Sequence, residues 1–287
     1  MTRRLLFVHA HPDDESINTG ATMAMYAAQG AAVTLVTCTL GDEGEILVAE
    51  QAHRAANHDD TLGIYRWREL QAAMTALGVM DVRVLGGMNE HGRARWRDSG
   101  MVQTPSNARK DAFVNADSTA VDALVDIIMD VQPQVVITYD SRGGYGHPDH
   151  VQAHRITHAA VSASAASGWR VSKVYSCARV LEVEQADRDE LAALGSAAPF
   201  RVGDDDFFWA VPNWAVTTEI NATAWVDCKA AALRAHATQV QVQGSWYALS
   251  DGIGAALRGV EWFTCEVGIP ERGADGRETD FFAGLGL

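Results

Sequence analysis

Leu5-Leu6-Phe7-Val8-His9-Ala10-His11-Pro12-Asp13-Asp14-Glu15 is the stretch on which the fold turns. Residues 5–10 form an apolar run broken only by His9. Such a run suits a strand buried on both faces, and strands of that kind belong to parallel sheets covered by helices on either side. The carboxylates Asp13, Asp14 and Glu15 come next, where the chain leaves the strand for a helix predicted over residues 20–30. Carboxylates at a helix start cap free N–H groups and oppose the helix dipole. Taken alone, the acidic run therefore asks for no catalytic explanation.

Outward from this stretch the same rhythm repeats. Apolar, β-branched runs predict strands over residues 32–38, 82–85, 135–139 and 171–180. Helical spacing predicts helices over 65–77, 121–131 and 151–166, the first of these stopped by Gly78. Strand and helix alternate through residue 181, which predicts an α/β fold: a Rossmann-like, mostly parallel sheet flanked by helices, with right-handed crossovers. Ligands of such sheets bind beyond the carboxyl ends of the strands. Residues 1–181 are thus expected to form the metal-binding catalytic domain. Residues 182–287 break the rhythm and are expected to form a smaller C-terminal α+β cap that contributes to the substrate pocket, with a helix over 224–237. The aromatic group Phe207, Phe208, Trp209 and Trp214 follows an Asp204-Asp205-Asp206 run, and core packing is its default expectation.

Composition narrows the functional classes. A chain of 287 residues fits one large domain or a domain with an appendage, at roughly 150 residues per domain. Its net charge of −14 argues against nucleic-acid or anionic-membrane partners, which call for basic patches. No stretch approaches the roughly 20 apolar residues of a membrane span, and the apolar run after Arg3-Arg4 is too short for a signal peptide. Cys38, Cys177, Cys228 and Cys265 are scattered, without a Cys-x-x-Cys pair, as expected of reduced thiols in a cytoplasmic protein.

A second segment, His147-Pro148-Asp149-His150, follows the strand predicted over 135–139. A lone histidine after a strand is usually structural. Two His-Pro-Asp segments at strand ends facing one crevice point instead to a divided metal site. Hydrolytic zinc sites offer three protein ligands and leave one position for water. His11, Asp14 and His150 supply such a set. Asp13 is then free to accept a proton, and His147 to donate to an oxyanion or a leaving amine. Asp149 is suited to orient an imidazole through its second nitrogen. His150, His154 and His158 form a rival set at i, i+4 spacing, which can bind zinc by itself. No Glu follows His150, so the metalloprotease pattern is absent, and His154 and His158 are expected to be structural or surface residues. Zinc and ferrous iron both accept two imidazoles and a carboxylate. A dinucleotide site is excluded: no Gly-x-Gly-x-x-Gly follows the first strand, and Asp13 and Asp14 would repel a pyrophosphate. The glycines of Gly143-Gly144-Tyr145-Gly146 lead into the second His segment without the Lys-Ser/Thr of a phosphate loop.

These segments resemble the LmbE-like (PIG-L) family of zinc-dependent N-deacetylases, whose signature pairs His-Pro-Asp-Asp-Glu with a later His-Pro-Asp-His. The resemblance extends to residues 8–16, 95–101, 143–150, 235–239 and the tail from Glu278, and is strongest toward the family's mycothiol-biosynthesis branch. It implies removal of acetate from an N-acetyl-glucosaminyl-inositol, a small amino-sugar inositol substrate. Cleavage of mycothiol S-conjugates, or deacetylation of another GlcNAc-containing small molecule, is the alternative. It implies one Zn2+ per subunit, with Fe2+ possible, held by His11, Asp14 and His150, and Asp13 as general base. His147 would stabilise the oxyanion with help from Tyr145, while Arg66, Asp98 and Glu45 would contact substrate hydroxyls.

Overall fold

The computed structural model describes residues 2–287 and opens with strand β1 (Arg4–His9). Along the chain follow α1 (Asp14–Ala28), β2 (Ala32–Thr37), α2 (Leu62–Leu77), β3 (Asp81–Val84), α3 (Ser118–Val131), β4 (Val135–Thr138), α4 (Pro148–Ala166), β5 (Lys173–Ala178) and α5 (Leu181–Ala193). The chain then forms β6 (Thr218–Asn221), α6 (Val226–Ala235), the short strands β7 (Gln241–Gln243), β8 (Trp246–Ala248) and β9 (Gly254–Ala256), and β10 (Val260–Val267). The main sheet has seven strands in the order β3-β2-β1-β4-β5-β10-β6, parallel from β3 through β5.

The apolar run behaves as its pattern requires. Leu5 and Phe7 point to one face and pack with Val33, Leu35, Val135 and Ile137 beneath α1, α2 and α6. Leu6 and Val8 point to the other, with Val36, Val136 and Val174 beneath Leu124 and Ile128 of α3 and Ile156 of α4. All four β1 side chains are fully buried, and burying a side chain of this size stabilises the fold by roughly 1.5–3 kcal/mol. Central β1 is thus fixed from both sides, and with it the position of everything attached to its carboxyl end.

α1 through α4 begin about one to two turns earlier than the apolar spacing predicts, whereas α6 begins at Val226, inside its predicted range. Helix α1 starts at Asp14 because its first turn is built of the acidic residues rather than the apolar ones. Beyond residue 181 the chain both extends the main sheet and forms a small separate one. β10 pairs antiparallel with β5, Phe263 opposite Cys177, and β6 pairs antiparallel with β10, Ile220 opposite Glu261. Only α5 and the antiparallel sheet β7-β8-β9 form the small α+β portion, with Leu191 of α5 seated against Gly254 of β9. The aromatic group also departs from expectation. Trp214 is 85% and Phe208 58% exposed, so these two are not core residues. Among the described residues, no helix is long and apolar enough to cross a membrane.

Candidate active site

β1 has β2 on one side and β4 on the other, so the connections leaving the carboxyl ends of β1 and β4 diverge and open a crevice. Open α/β sheets bind ligands at such a switch point. His11 to Asp14 leave β1 into this crevice, and His147 to His150 enter it between β4 and α4. Pro148 occupies the first turn of α4, and the His147 side chain caps the helix by accepting the Asp149 N–H at 3.1 Å.

Asp14 is the point of convergence. Its Oδ2 lies 3.2 Å from His11 Nδ1 and 3.3 Å from His150 Nε2. Burial pushes the Asp14 carboxyl up, but His150 and His11 hold it well below the usual carboxylate range. His150 stacks on Tyr139 with ring centroids 4.1 Å apart, and its Nδ1 lies 3.3 Å from the Gly143 carbonyl. An Nδ1–H directed at that carbonyl leaves the Nε2 lone pair facing a carboxylate oxygen. This Nε2 is buried and has no hydrogen-bond partner. Two electron-rich atoms facing each other in a buried site call for a cation between them.

His11 has a second set of neighbours on its far side. Nε2 lies 3.2 Å from Asp149 Oδ2 and 3.5 Å from Asp98 Oδ1. Burial disfavours charge on this ring, yet Asp98, Asp14 and Asp149 together raise its pKa well above the ordinary histidine value. Asp149 is held by the Ser99 backbone N–H at 2.8 Å and by the Ser99 hydroxyl. Asp98 accepts the N–H groups of Gly100 at 2.8 Å and Glu43 at 3.2 Å. In the neutral ring that a metal ligand requires, a proton on Nε2 directed at these carboxylates leaves Nδ1 free toward Asp14, the usual way a carboxylate orients a ligating histidine.

The histidines 11, 147 and 150 also group closely, with one nitrogen of each within 4.8 Å of the others. His147 differs from the other two in its tautomer. Its Nδ1 lone pair accepts the Asp149 N–H, so the neutral ring carries its proton on Nε2 and presents a donor rather than a ligand. Burial, reinforced by His11 and His150, lowers its pKa to about 3, which keeps the ring neutral. Tyr145 stands edge-on to His147 and His150, at 6.1 and 5.2 Å between ring centroids, and is 46% exposed.

Asp13 sits at the turn itself, with φ +115° and ψ −35°. Its N–H is held at 3.0 Å by Glu15 Oε2, and Glu15 Oε1 lies 2.8 Å from Nε2 of the fully buried His236. Burial, opposed by Arg66 and assisted by Asp14, raises the Asp13 carboxyl to about 6. Arg66 is buried beside Asp13. It is 3% exposed, lies 3.2 Å from Asp13 Oδ2, and donates to Gly41 O at 2.8 Å and to Pro12 O.

The structure therefore brings His11, Asp13, Asp14, His147, Asp149 and His150 together, with Tyr145 at the rim. Asp98 and Arg66 lie beneath the site as buried supports, and Glu45 is exposed on the loop after β2. Sequence reasoning missed Tyr139, Ser99 and the Glu15–His236 pair. Ser99 and the Glu15–His236 pair had a signal, since they fall in segments that carried the resemblance, whereas Tyr139 had none.

The chain is 52% identical to the 1D-myo-inositol 2-acetamido-2-deoxy-alpha-D-glucopyranoside deacetylase of Thermobispora bispora, covering 99% of each chain. It is 53% identical to the protein of the same name from Acidothermus cellulolyticus, over 99% of this chain and 96% of that one. Among solved structures it resembles GalB, the 4-carboxy-2-hydroxymuconate hydratase of Pseudomonas putida KT2440, with a TM-score of 0.57 and 18% identity over 95% of this chain and 99% of that one. At that identity the likeness concerns the fold alone. Residues 6–161 match the pattern of PIG-L, the GlcNAc-PI de-N-acetylases, and the chain belongs to that family.

Proposed function

We propose that this protein is a metal-dependent amide hydrolase that removes the N-acetyl group from 1D-myo-inositol 2-acetamido-2-deoxy-alpha-D-glucopyranoside, the mycothiol-pathway substrate that names its near full-length relatives. The observation that carries the hydrolytic reading is Asp13: a carboxylate beside a converging His-Asp-His set, outside that set, and poised by burial near neutrality. A site built only for binding needs no such group.

His11 Nδ1, Asp14 and His150 Nε2 fit a zinc or ferrous ion, on the strength of the orphaned His150 nitrogen and the Asp149 backing of His11. When bound there, the ion supplies Lewis acidity toward a water and the acetyl carbonyl. Asp13 takes the proton of the attacking water. His147, neutral and protonated on Nε2, donates a hydrogen bond to the oxygen on which charge develops, and Tyr145 closes over it from the rim. Asp13, once protonated, or His147 then returns a proton to the leaving amine. Exposed Glu45 is available to sugar hydroxyls, whereas Asp98 and Arg66 act from below, on His11 and Asp13. The C-terminal portion reaches the Asp13 turn through the buried His236–Glu15 contact.

The test is acetate release from the glucosaminyl-inositol amide by the purified protein, with a mycothiol S-conjugate assayed in parallel. Activity on the first substrate, lost on chelation and restored by zinc or ferrous ion, is the expected result. Inactivity of the metal-replete protein on the acetamido sugar, or preference for the conjugate, overturns the assignment.

A further inference from the structure

One and two turns along α4 from His150, a second group of metal-ligating side chains stands apart from the site just described. His154 and His158 lie at i and i+4 on α4, with ring centroids 4.4 Å apart. Glu266, near the end of β10, brings its Oε2 to 2.7 Å from His158 Nε2 and 3.7 Å from His154 Nδ1. One ligand atom from each of the three lies within 4.8 Å of the others.

Two details go beyond an ordinary ion pair. His154 Nδ1 lies 2.9 Å from the Tyr139 carbonyl. A donor there fixes the tautomer and leaves the lone pair on Nε2, so His154 would ligate through Nε2 rather than through the Nδ1 that approaches Glu266. His158 Nε2 is buried and makes no properly directed hydrogen bond, despite its proximity to Glu266. An unsatisfied nitrogen beside a carboxylate is the same signature that His150 and Asp14 display. Unlike that pair, the three side chains are 18%, 29% and 21% exposed, so water can reach the site and complete a coordination shell.

We propose that His154, His158 and Glu266 form a second divalent-cation site that ties α4 to β10. Two imidazoles and one carboxylate select zinc or cobalt(II) over magnesium or calcium, which prefer all-oxygen shells. The bond spans the antiparallel addition to the sheet, since β10 joins β5 from beyond residue 182. Tyr139 connects the two sites: its carbonyl meets His154 while its ring lies on His150. The inference does not depend on the hydrolytic reading.

Calorimetric and absorbance titration of the full chain with cobalt(II), after chelation and dialysis, tests it. The wild-type protein is expected to take up a second, weaker equivalent. His158→Ala and Glu266→Gln lose that equivalent and keep the tighter one, and His150→Ala keeps the weaker one. Circular dichroism separates these losses from misfolding, and Glu266→Gln preserves shape should His158→Ala fold poorly. Saturation of the wild type at one equivalent overturns the proposal, since His158 and Glu266 are then a hydrogen-bonded pair only. An unchanged second equivalent in both α4–β10 variants overturns it as well.

Discussion

Replacing Arg66 by methionine separates two accounts of one residue. The resemblance makes Arg66 a substrate contact; the structure buries its guanidinium against Asp13, Pro12 and Gly41. Removing one partner of a buried ion pair costs about 3–5 kcal/mol, because the remaining charge is left uncompensated. Arg66→Met should lower the unfolding free energy by that order. The kinetic consequence follows from Asp13. Burial raises its carboxyl to about 6 while Arg66 pulls it down, so loss of the guanidinium moves it higher. Two unit charges about 4 Å apart at an effective dielectric near 20 interact by about 4 kcal/mol. Even a quarter of that is most of a pKa unit at about 1.36 kcal/mol per unit. A base works only when ionised, so the acid limb of kcat/KM should move upward by about one pH unit, costing about tenfold in rate on that limb. The assay is a pH profile of acetate release beside a urea melt. KM should change little, as the guanidinium is engaged by Asp13, Gly41 and Pro12. A large rise in KM, with kcat, the acid limb and stability unchanged, would restore Arg66 to the substrate surface and refute this reasoning.

Asp13→Ala should retain its metal by elemental analysis yet lose about 10²–10⁴-fold in kcat, the usual scale of general-base catalysis; a metal-free variant would show that Asp13 is a ligand instead. His150→Ala should lose tight metal binding at the catalytic site, and an unaltered affinity there would remove it from the ligand set. Glu278 is fully buried among Lys173, the Tyr175 hydroxyl and Thr218 Oγ1 at 3.1 Å. Lys173→Met should therefore destabilise the fold by about 3–5 kcal/mol. Adding Glu278→Gln should recover part of that in denaturant melts, and strictly additive losses would exclude the coupling.

What could be read from the chain follows from the range of each interaction. β1 was legible because Leu5, Leu6, Phe7 and Val8 each carry their own reason for burial, and the His-Pro-Asp repeat placed both halves of the site at one sheet edge. β10 was not. Its sequence Val-Glu-Trp-Phe-Thr-Cys-Glu-Val reads as half exposed, yet Glu261 is buried against Lys229, with Nζ 2.7 Å from Oε1. Two charges distant in sequence conceal a core position from any local pattern. The burial of Arg66 was not legible either. Its burial depends on the absence of side chains elsewhere: a Cβ on Gly41 would collide with the guanidinium, and one on Gly44 would lie 2.7 Å from Nη1. Asp98 resembled a loop-capping or sugar-binding carboxylate, and only its distance to His11 reveals a support.

The backbone of Asp13 carries a further consequence. A non-glycine residue at φ +115° stands in a region that costs of order 1–3 kcal/mol. The Glu15 and His236 contacts that hold it there are themselves buried. On the role proposed for Asp13, chemistry and durability therefore compete at a single position. Asp13→Gly should unfold at higher denaturant than Asp13→Ala, although both lack the carboxylate, because glycine alone relieves the backbone. An enzyme relieved of its acid–base duty has somewhere to gain stability, and a chain of this family with glycine at this position would be one that has given up hydrolysis for a sturdier fold.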